Sequence, residues 1–311
     1  MSAKALGAVS LLLMSSLLLA KEPANSSKQE TSTPTPSQVA PPANPRETAW
    51  RTLDEAIEGD KAGSRALAVR ALGFISGNAR ARKTAEHALD DPKPEVRTGA
   101  AVALGEMDAR SSIPRLKKML DDPEPAVALA AAHSLETMHD EAGYQLYYQI
   151  LTGDKKGSKG AVASEISSLK DPKQLAELGF QQGIGFIPFA GIGWEAYRML
   201  SKDNATPVRA EAAKILATDP DPESGSALGD AATDDRNWVV RVAALSSIAK
   251  RGNPALLRAA VAAMEDNKPA VRYAAAATVV RLLDVQDRHS GHRTEHKELP
   301  NKNDGAVALR R

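Results

Sequence analysis

The chain has 311 residues and a mass of 32.9 kDa, enough for one or two domains with a sizeable core. Its 40 Lys and Arg residues balance 39 Asp and Glu residues, so the basic excess typical of nucleic-acid-binding proteins is missing and we expect no nucleic-acid partner. The absence of cysteine excludes disulfides, Cys-ligated metals and a thiol nucleophile. Aromatic residues make up 4% of the chain, and the apolar residues are mostly Ala, Leu and Val, which favours an all-α fold.

Residues 1–20 have the layout of a secretory signal, because Lys4 precedes an uncharged, leucine-rich run that ends at Ala20. The run is shorter than the ~20 apolar residues of a membrane-spanning helix, which favours a cleaved signal. Leu18 stands where a small residue is expected before the cleavage site, so an uncleaved anchor stays open. We therefore predict export to the periplasm or cell envelope.

Residues 21–45 are rich in Pro, Ser and Thr and contain few large apolar side chains. Such a segment cannot bury enough surface to offset the entropy lost on ordering, so it is predicted to be a disordered linker. Asn44 and Pro45 are typical of a helix N-cap and first helical residue. We therefore predict that the folded domain begins at Arg46 and covers residues 46–285.

A repeated pattern runs through this domain. The segment DDPKPEVRTGAAVALG, which begins at Asp90, recurs in variant form, and the basic anchor of each copy follows the previous one after 32, 31, 31, 50, 32 and 31 residues. Apolar residues three and seven positions after each anchor, usually with Val one position before it, predict one buried helix face. The anchors are Arg65, Arg97, Ala128, Lys159, Arg209, Arg241 and Arg272.

A second apolar pattern follows in each copy, so each unit is predicted to be a helical hairpin and the domain an α-solenoid of about seven hairpins. Neighbouring hairpins would bury each other's apolar faces through short-range contacts alone. We therefore expect the hairpins to stack in chain order into a rod or gently curved rod. Tyr144 and Tyr147 match Ile113 and Leu116 of the preceding copy, which predicts that both tyrosines lie in the core.

Five copies carry Asp six residues before the anchor, and Gly59 and Gly153 take its place in the other two. Asp followed by Val-Arg, Ala and Leu resembles the HEAT-repeat signature, and the short period is similar to the HEAT-like repeats of phycobilisome lyases. The resemblance implies a charge ladder between neighbouring repeats, in which the Asp also caps its helix and which Ala128 interrupts. The ladder residues that it implies are Asp91, Arg97, Asp203, Arg209, Asp235, Arg241, Asp266 and Arg272.

The one long spacing contains a glycine-rich insertion at about residues 179–200, and no charged residue occurs from Leu178 to Trp194. One interpretation is an apolar wedge that packs on its own domain, and the other is an exposed loop that docks a partner or dips into a membrane. The dinucleotide-like pattern at residues 191–196 lacks a strand-helix-strand context, so no cofactor is predicted. The large apolar residues of the insertion include Phe186, Ile187, Phe189 and Trp194.

The tail, residues 286–311, contains His289, His292 and His296. The spacing of these histidines would suit a metal ion only if a second helix or strand supplied further ligands. We therefore predict a flexible tail and no metal site. No Gly-x-Ser-x-Gly motif or recognisable catalytic triad occurs. The lyase resemblance concerns the fold, which does not define a function.

The prediction is therefore a non-enzymatic scaffold that binds a protein or peptide along its concave face, which the second helices of the hairpins are expected to line. The alternatives are a peripheral membrane module that uses the apolar loop at residues 183–194 and, after it, a lyase-like HEAT enzyme. The predicted partner-binding residues are Arg82, Lys83, Arg115, Lys117, Lys118 and Tyr148.

Overall fold

Helices account for all the regular structure in residues 44–152 and 205–295, the two ranges that the computed structural model describes. No strand occurs in these ranges, which confirms the predicted all-α solenoid class. The fourth repeat copy and the whole insertion, with Phe186, Ile187, Phe189 and Trp194, lie outside the described residues. The helices are α1 Pro45–Glu58, α2 Ala62–Ala71, α3 Ala79–Ala88, α4 Pro94–Glu106, α5 Ile113–Met119, α6 Pro125–Thr137, α7 Glu141–Thr152, α8 Ala205–Leu216, α9 Pro222–Asp234, α10 Trp238–Arg251, α11 Leu257–Ala263 and α12 Pro269–Glu295.

Local sequence explains several of the helix starts. At α1, the Asn44 side chain accepts a hydrogen bond from the Arg46 N–H at 3.0 Å, and Pro45 occupies the first helical position. Asn237 caps α10 in the same way by accepting from the Val239 N–H at 3.0 Å. These side chains satisfy N–H groups that have no partner inside the helix, so the local sequence favours helix starts at these positions.

The helices fall into two sets. The first helices carry the repeat anchors and are α2, α4, α6, α8, α10 and α12, and the second helices that follow them are α3, α5, α7, α9 and α11. The first helices form the centre of the core, because the predicted apolar positions face neighbouring first helices. Leu72, Leu104 and Leu135, each seven residues after an anchor, are fully buried.

The first helices do not stack in chain order. Helix α12 packs against α10 on one side and against α1 and α2 on the other, so the order in the stack is α8, α10, α12, α2, α4, α6. One continuous hydrophobic core contains residues from both described ranges. The predicted rod with contacts only between sequence neighbours is therefore wrong, because the C-terminal repeats bury the face that the N-terminal repeats would otherwise expose.

Helix α1 supplies the second helix that α12 lacks. It packs against α12 and α2, with Ala49 and Leu53 fully buried. Polar contacts reinforce the junction: the Arg46 guanidinium pairs with Asp284 and, at 2.7 Å, with Asp287. One repeat is thus built from both ends of the described chain. Helix α12 continues to Glu295, beyond the predicted domain boundary at residue 285, and the residues around that boundary pair with α1.

Two further contacts join the same helices. The Asn78 side-chain amide donates to Asp284 at 2.7 Å, and the Arg281 guanidinium donates to the Ser76 carbonyl at 3.1 Å. Asn78 and Ser76 both belong to the turn between α2 and α3. The junction is therefore held by α1 and by this turn together.

At α8 the predicted buried face is exposed. Val208 is 68% exposed, and Ala212 is also exposed, whereas the equivalent Val240 and Ala244 of α10 are buried. The prediction is wrong here because the described residues pack against only one side of α8, the first helix of the described stack. The residues that α8 buries lie on its other side, for example Ala210 and Ala213.

Glycine permits the close approach of α2 and α4. A Cβ atom added at Gly99 would lie 2.9 Å from the Ala66 carbonyl oxygen, a backbone atom that cannot move independently of α2. The short distance means that the interface between these two helices has no room for even a methyl group.

We predict that Gly99→Ala lowers the free energy of unfolding by about 1–3 kcal/mol, because overpacking forces the two helices apart. The control is Gly63→Ala in α2, where an added Cβ atom meets no atom within 4 Å. Urea denaturation should find this control unchanged or slightly more stable than the wild type. Equal effects of the two substitutions would contradict the described packing of α2 on α4.

Candidate functional site

The ladder residues form ion pairs between neighbouring first helices. The Arg97 Nε and Nη2 atoms each lie 2.8 Å from a carboxylate oxygen of Asp122, which precedes the next first helix. The remaining Nη1 atom of Arg97 donates to the Asp91 carbonyl at 3.0 Å. Arg97 therefore binds the backbone of its own repeat and the carboxylate of the next. Ion pairs of the same kind join Arg65 to Asp91, Arg209 to Asp235 and Arg241 to Asp266.

Two members of this ladder were not among the residues implied by the resemblance, namely Arg65 and Asp122. Asp122 precedes the copy in which Ala128 replaces the arginine, but its partner is the arginine of the copy before, so Ala128 does not affect it. The position of Asp122 six residues before an anchor was a sufficient signal. Asp203 lies outside the described residues.

The ladder carboxylates also cap the turns in which they lie. Asp91 accepts a hydrogen bond from the Lys93 N–H at 2.8 Å, and Asp235 accepts from the Asn237 N–H at 2.8 Å. Partial burial alone would raise the pKa of Asp91, but the hydrogen bonds from Arg65 and from the Lys93 N–H outweigh it. The pKa of Asp91 is therefore below its usual value, and the folded protein favours the ionised carboxylate.

The basic residues predicted to bind a partner lie on the second helices, and most of them form ion pairs with carboxylates. Lys83 and Lys118 are exposed. The others form ion pairs: Arg115 with Asp90 at 2.6 Å, Lys117 with Asp140 at 2.9 Å, and Arg82 with Glu86 at 2.6 Å. The surface is therefore a mixed one and not a basic stripe.

Tyrosines mark the exposed side of α7. Tyr148 is 64% exposed and Tyr144 is 51% exposed, so the prediction that Tyr144 lies in the core is wrong. Tyr147 is half-buried beside α6, and this burial, together with the nearby Glu136 carboxylate, raises its pKa to about 12. Leu146 fills the core position of this helix instead. Helix α7 is therefore rotated so that Tyr144 and Tyr148, one turn apart, face outwards.

Helix α7 is held closely against α6. A Cβ atom added at Gly143 would lie 2.5 Å from the Ala132 carbonyl oxygen, and Leu146 packs with Ala128, Leu129 and Ala132. The two exposed tyrosines consequently stand on a helix whose backbone position is fixed by its neighbour.

Two further kinds of site, a membrane-spanning helix and a metal cluster, are absent from residues 44–152 and 205–295. No helix in these ranges has both the length and the apolar character needed to cross a bilayer. Within the same ranges, no three His, Cys, Asp or Glu residues form a group that could hold a metal ion. His289 is exposed on α12, and the side chains of His292 and His296 lie outside the described residues.

Comparison with known proteins identifies the class of fold. The family model described as HEAT repeats matches residues 51–136 and 196–281, which together are more than half of the chain. The chain therefore belongs to the HEAT-repeat family, and the resemblance inferred from the sequence is confirmed. A search of curated proteins found no match.

The solved structures that are similar to this chain at low identity include the following two. One is the complex of CpcE and CpcF of phycocyanin lyase from Nostoc sp. PCC7120, with 18% identity, a TM-score of 0.30, and coverage of 83% of this chain and 99% of that chain. The other is human deoxyhypusine hydroxylase in complex with glycerol, with 17% identity, a TM-score of 0.33, and coverage of 77% of this chain and 97% of that chain.

Both names are those of enzymes, so the prediction of a non-enzymatic scaffold is wrong as an exclusion of catalysis. That prediction took the absence of a familiar catalytic motif as evidence against catalysis. The likeness is too distant for either activity to be carried over to this chain.

We predict that Asp122→Ala lowers the free energy of unfolding by about 3–5 kcal/mol, because it leaves the guanidinium of Arg97 without its carboxylate at a largely buried site. The side chains of Arg97 and Asp122 are only 14% and 5% exposed. The control is Asp90→Ala, which removes the exposed partner of Arg115 and is expected to cost about 0–1 kcal/mol. Urea denaturation distinguishes the two, and equal losses would contradict the structural importance of the ladder.

The lowered pKa of Asp91 predicts acid sensitivity. An ionised Asp91 contributes stability above the pKa of an unfolded Asp, about 3.9, and this contribution is lost as the pH falls through the lower pKa of the folded state. The free energy of unfolding of Asp91→Asn should therefore fall less steeply than that of the wild type below about pH 5. Chemical denaturation at a series of pH values measures this, and parallel curves would contradict it.

Proposed function

We propose that this HEAT-repeat protein binds a protein partner through the exposed face of α7. We call this surface the tyrosine face and define it as Glu141, Tyr144, Gln145 and Tyr148, all of which are exposed. Residues at these spacings lie on one side of a helix. The observation that carries the proposal is the exposure of two tyrosines one turn apart, 51% and 64% of their surface. Tyrosine is enriched in protein interfaces, where its ring provides contact area and its hydroxyl a hydrogen bond.

The charges around the tyrosine face indicate the chemistry of the partner. The Tyr144 hydroxyl lies 3.5 Å from a carboxylate oxygen of Glu136, and Glu141 lies on the face itself. A surface that combines tyrosine rings with carboxylates is complementary to arginine or lysine side chains beside apolar ones. We therefore expect a partner segment with exposed basic and apolar residues, which differs from the acidic segment that a basic stripe would bind.

The packing of α7 supports binding at low entropic cost. Leu146 is buried, and the Gly143 backbone lies against the Ala132 carbonyl, so the helix does not have to be ordered when a partner docks. Tyrosine adds little cost of its own, because it has only two side-chain torsion angles. These features are typical of a surface that provides a few strong contacts.

The proposed place of binding is outside the cytoplasm. This part of the proposal is supported by the signal-like residues 1–20 and by the composition of residues 21–45, which would separate the repeats from a membrane if the signal were retained. Contact of residues 183–194 with a membrane is a second proposed mode of attachment, which the apolar composition of this segment supports.

We predict that a photo-reactive amino acid at position 148 captures a specific partner in intact cells, whereas the same group at exposed Lys83 on α3 does not. For the captured protein, Tyr144→Ser with Tyr148→Ser should weaken binding at least tenfold, about 1.4 kcal/mol, as expected for interface tyrosines. Lys83→Ser is the matched control and should bind normally.

Circular dichroism checks that both variants keep their helices. Equal affinities of the two variants, or capture from position 83 alone, would contradict the tyrosine face as the binding surface.

A further inference from the structure

The charge ladder contains one arginine that pairs with no carboxylate of the described residues. This residue is Arg272 of α12, and it stands at the same repeat position as Arg241 of α10. Its Nη1 atom donates to the Asp266 carbonyl at 3.0 Å, as that of Arg241 donates to the Asp235 carbonyl at 2.7 Å. Arg272 therefore makes the same backbone contact as Arg241, and its Nε and Nη2 atoms are the equivalents of those with which Arg241 binds the carboxylate of the next repeat.

The first helix that follows α12 in the stack is α2, and the ladder position before it is occupied by Gly59, which has no side chain. Aspartate occupies this position before α4, α6, α10 and α12. The adjacent Asp60 is exposed, and its backbone carbonyl accepts from Arg65 at 3.0 Å. We call the guanidinium edge of Arg272, the backbone of Gly59 and the N–H of Lys61 the open rung.

The rungs that contain an aspartate show which group the donors of the open rung would bind. In the rung of Asp266, the carboxylate receives hydrogen bonds from Arg241 Nε at 2.6 Å, from Arg241 Nη2 at 3.0 Å and from the Lys268 N–H at 2.7 Å. The open rung offers the equivalent three donors, namely Nε and Nη2 of Arg272 and the N–H of Lys61. Within the described residues none of these three donors makes a hydrogen bond.

We infer that the open rung is a binding site for a carboxylate that comes from outside the ladder. A planar guanidinium edge binds both oxygens of a carboxylate at once, and the third donor fixes its orientation. The carboxylate can belong to an acidic side chain of a protein or to a small carboxylic acid, since the site recognises the group that both share. Its occupation joins α12 to α2 and therefore stabilises the junction between the two ends of the chain.

The geometry of the open rung is tested by a substitution that introduces a carboxylate at position 59. Gly59 has φ −71° and ψ 157°, close to the φ −61° and ψ 130° of Asp235, so aspartate can adopt this backbone conformation. An added Cβ atom lies 3.1 Å from the Glu55 carbonyl oxygen, a tight contact that Asp and Asn share, so the comparison of the two variants isolates the effect of the charge. Gly59→Asp is expected to raise the midpoint of urea denaturation above that of Gly59→Asn, which has the same shape without the charge. The difference should disappear when Arg272→Gln is added to both variants. Equal midpoints of the Asp and Asn variants in the presence of Arg272 would overturn the inference.

Binding is tested with acetate on the full chain. The Nε–Hε resonance of Arg272, assigned by its loss in Arg272→Gln, should shift saturably with sodium acetate but not with sodium chloride at equal ionic strength. The same resonance in Gly59→Asp should not respond, because the introduced carboxylate occupies the rung. The absence of a saturable shift in the wild type with both acetate and the peptide described next would overturn the inference.

A blocked tripeptide amide with one Asp, compared with its Asn analogue, distinguishes the two sources of the carboxylate. Saturation by the Asp peptide at a concentration at least tenfold below that of acetate would assign the site to a protein segment. Similar concentrations would assign it to a small carboxylic acid. The Asn peptide should give no shift, and a shift equal to that of the Asp peptide would contradict recognition of a carboxylate.

Discussion

The packing of α12 against α1 and α2 is the contact on which the described fold depends. It joins two series of repeats, α1–α7 and α8–α12, into one stack with a continuous hydrophobic core. Ala49 and Leu53 of α1 and Leu282 of α12 are fully buried. Separation of the two series would expose these side chains to water, and burial of apolar surface is the main favourable term in folding. The repeats at the two ends of the chain therefore stabilise each other.

The charge ladder aligns the helices along the stack but is interrupted at this junction. Arg97 and Asp122 bind each other at a site that is largely closed to water, whereas Gly59 provides no carboxylate for Arg272. The contacts between Arg46 and the carboxylates of α12 lie on a more exposed part of the junction, and Asp287 is 73% exposed. Exposed ion pairs contribute less than buried ones to stability. The junction consequently depends on apolar packing, and a bound carboxylate would have its largest effect there.

The periodicity of the sequence was sufficient to predict the first helices and their buried leucines, because apolar residues at helical spacing lie on one face of a helix and are buried together. It could not predict which neighbour covers them, so the contact between α1 and α12 was missed. For the same reason Tyr144 was assigned to the core, although Leu146 occupies that place on α7. The pairing of Arg115 with Asp90 was also missed, since the two residues are 25 positions apart and meet only in the folded structure. The local sequence pattern therefore predicts the helices, whereas the order of the repeats in space determines which side chains are exposed.

The most direct test of this account is a distance measurement between the two ends of the described chain. Because the protein has no cysteine of its own, nitroxide labels can be placed at Glu47→Cys in α1 and Gln286→Cys in α12 and measured by pulsed electron paramagnetic resonance. Labels on adjoining helices, whose axes lie about 8–10 Å apart, are expected to be separated by less than about 30 Å. Seven hairpins stacked in chain order would separate them by about 50–60 Å, and a distance in that range would contradict the described fold.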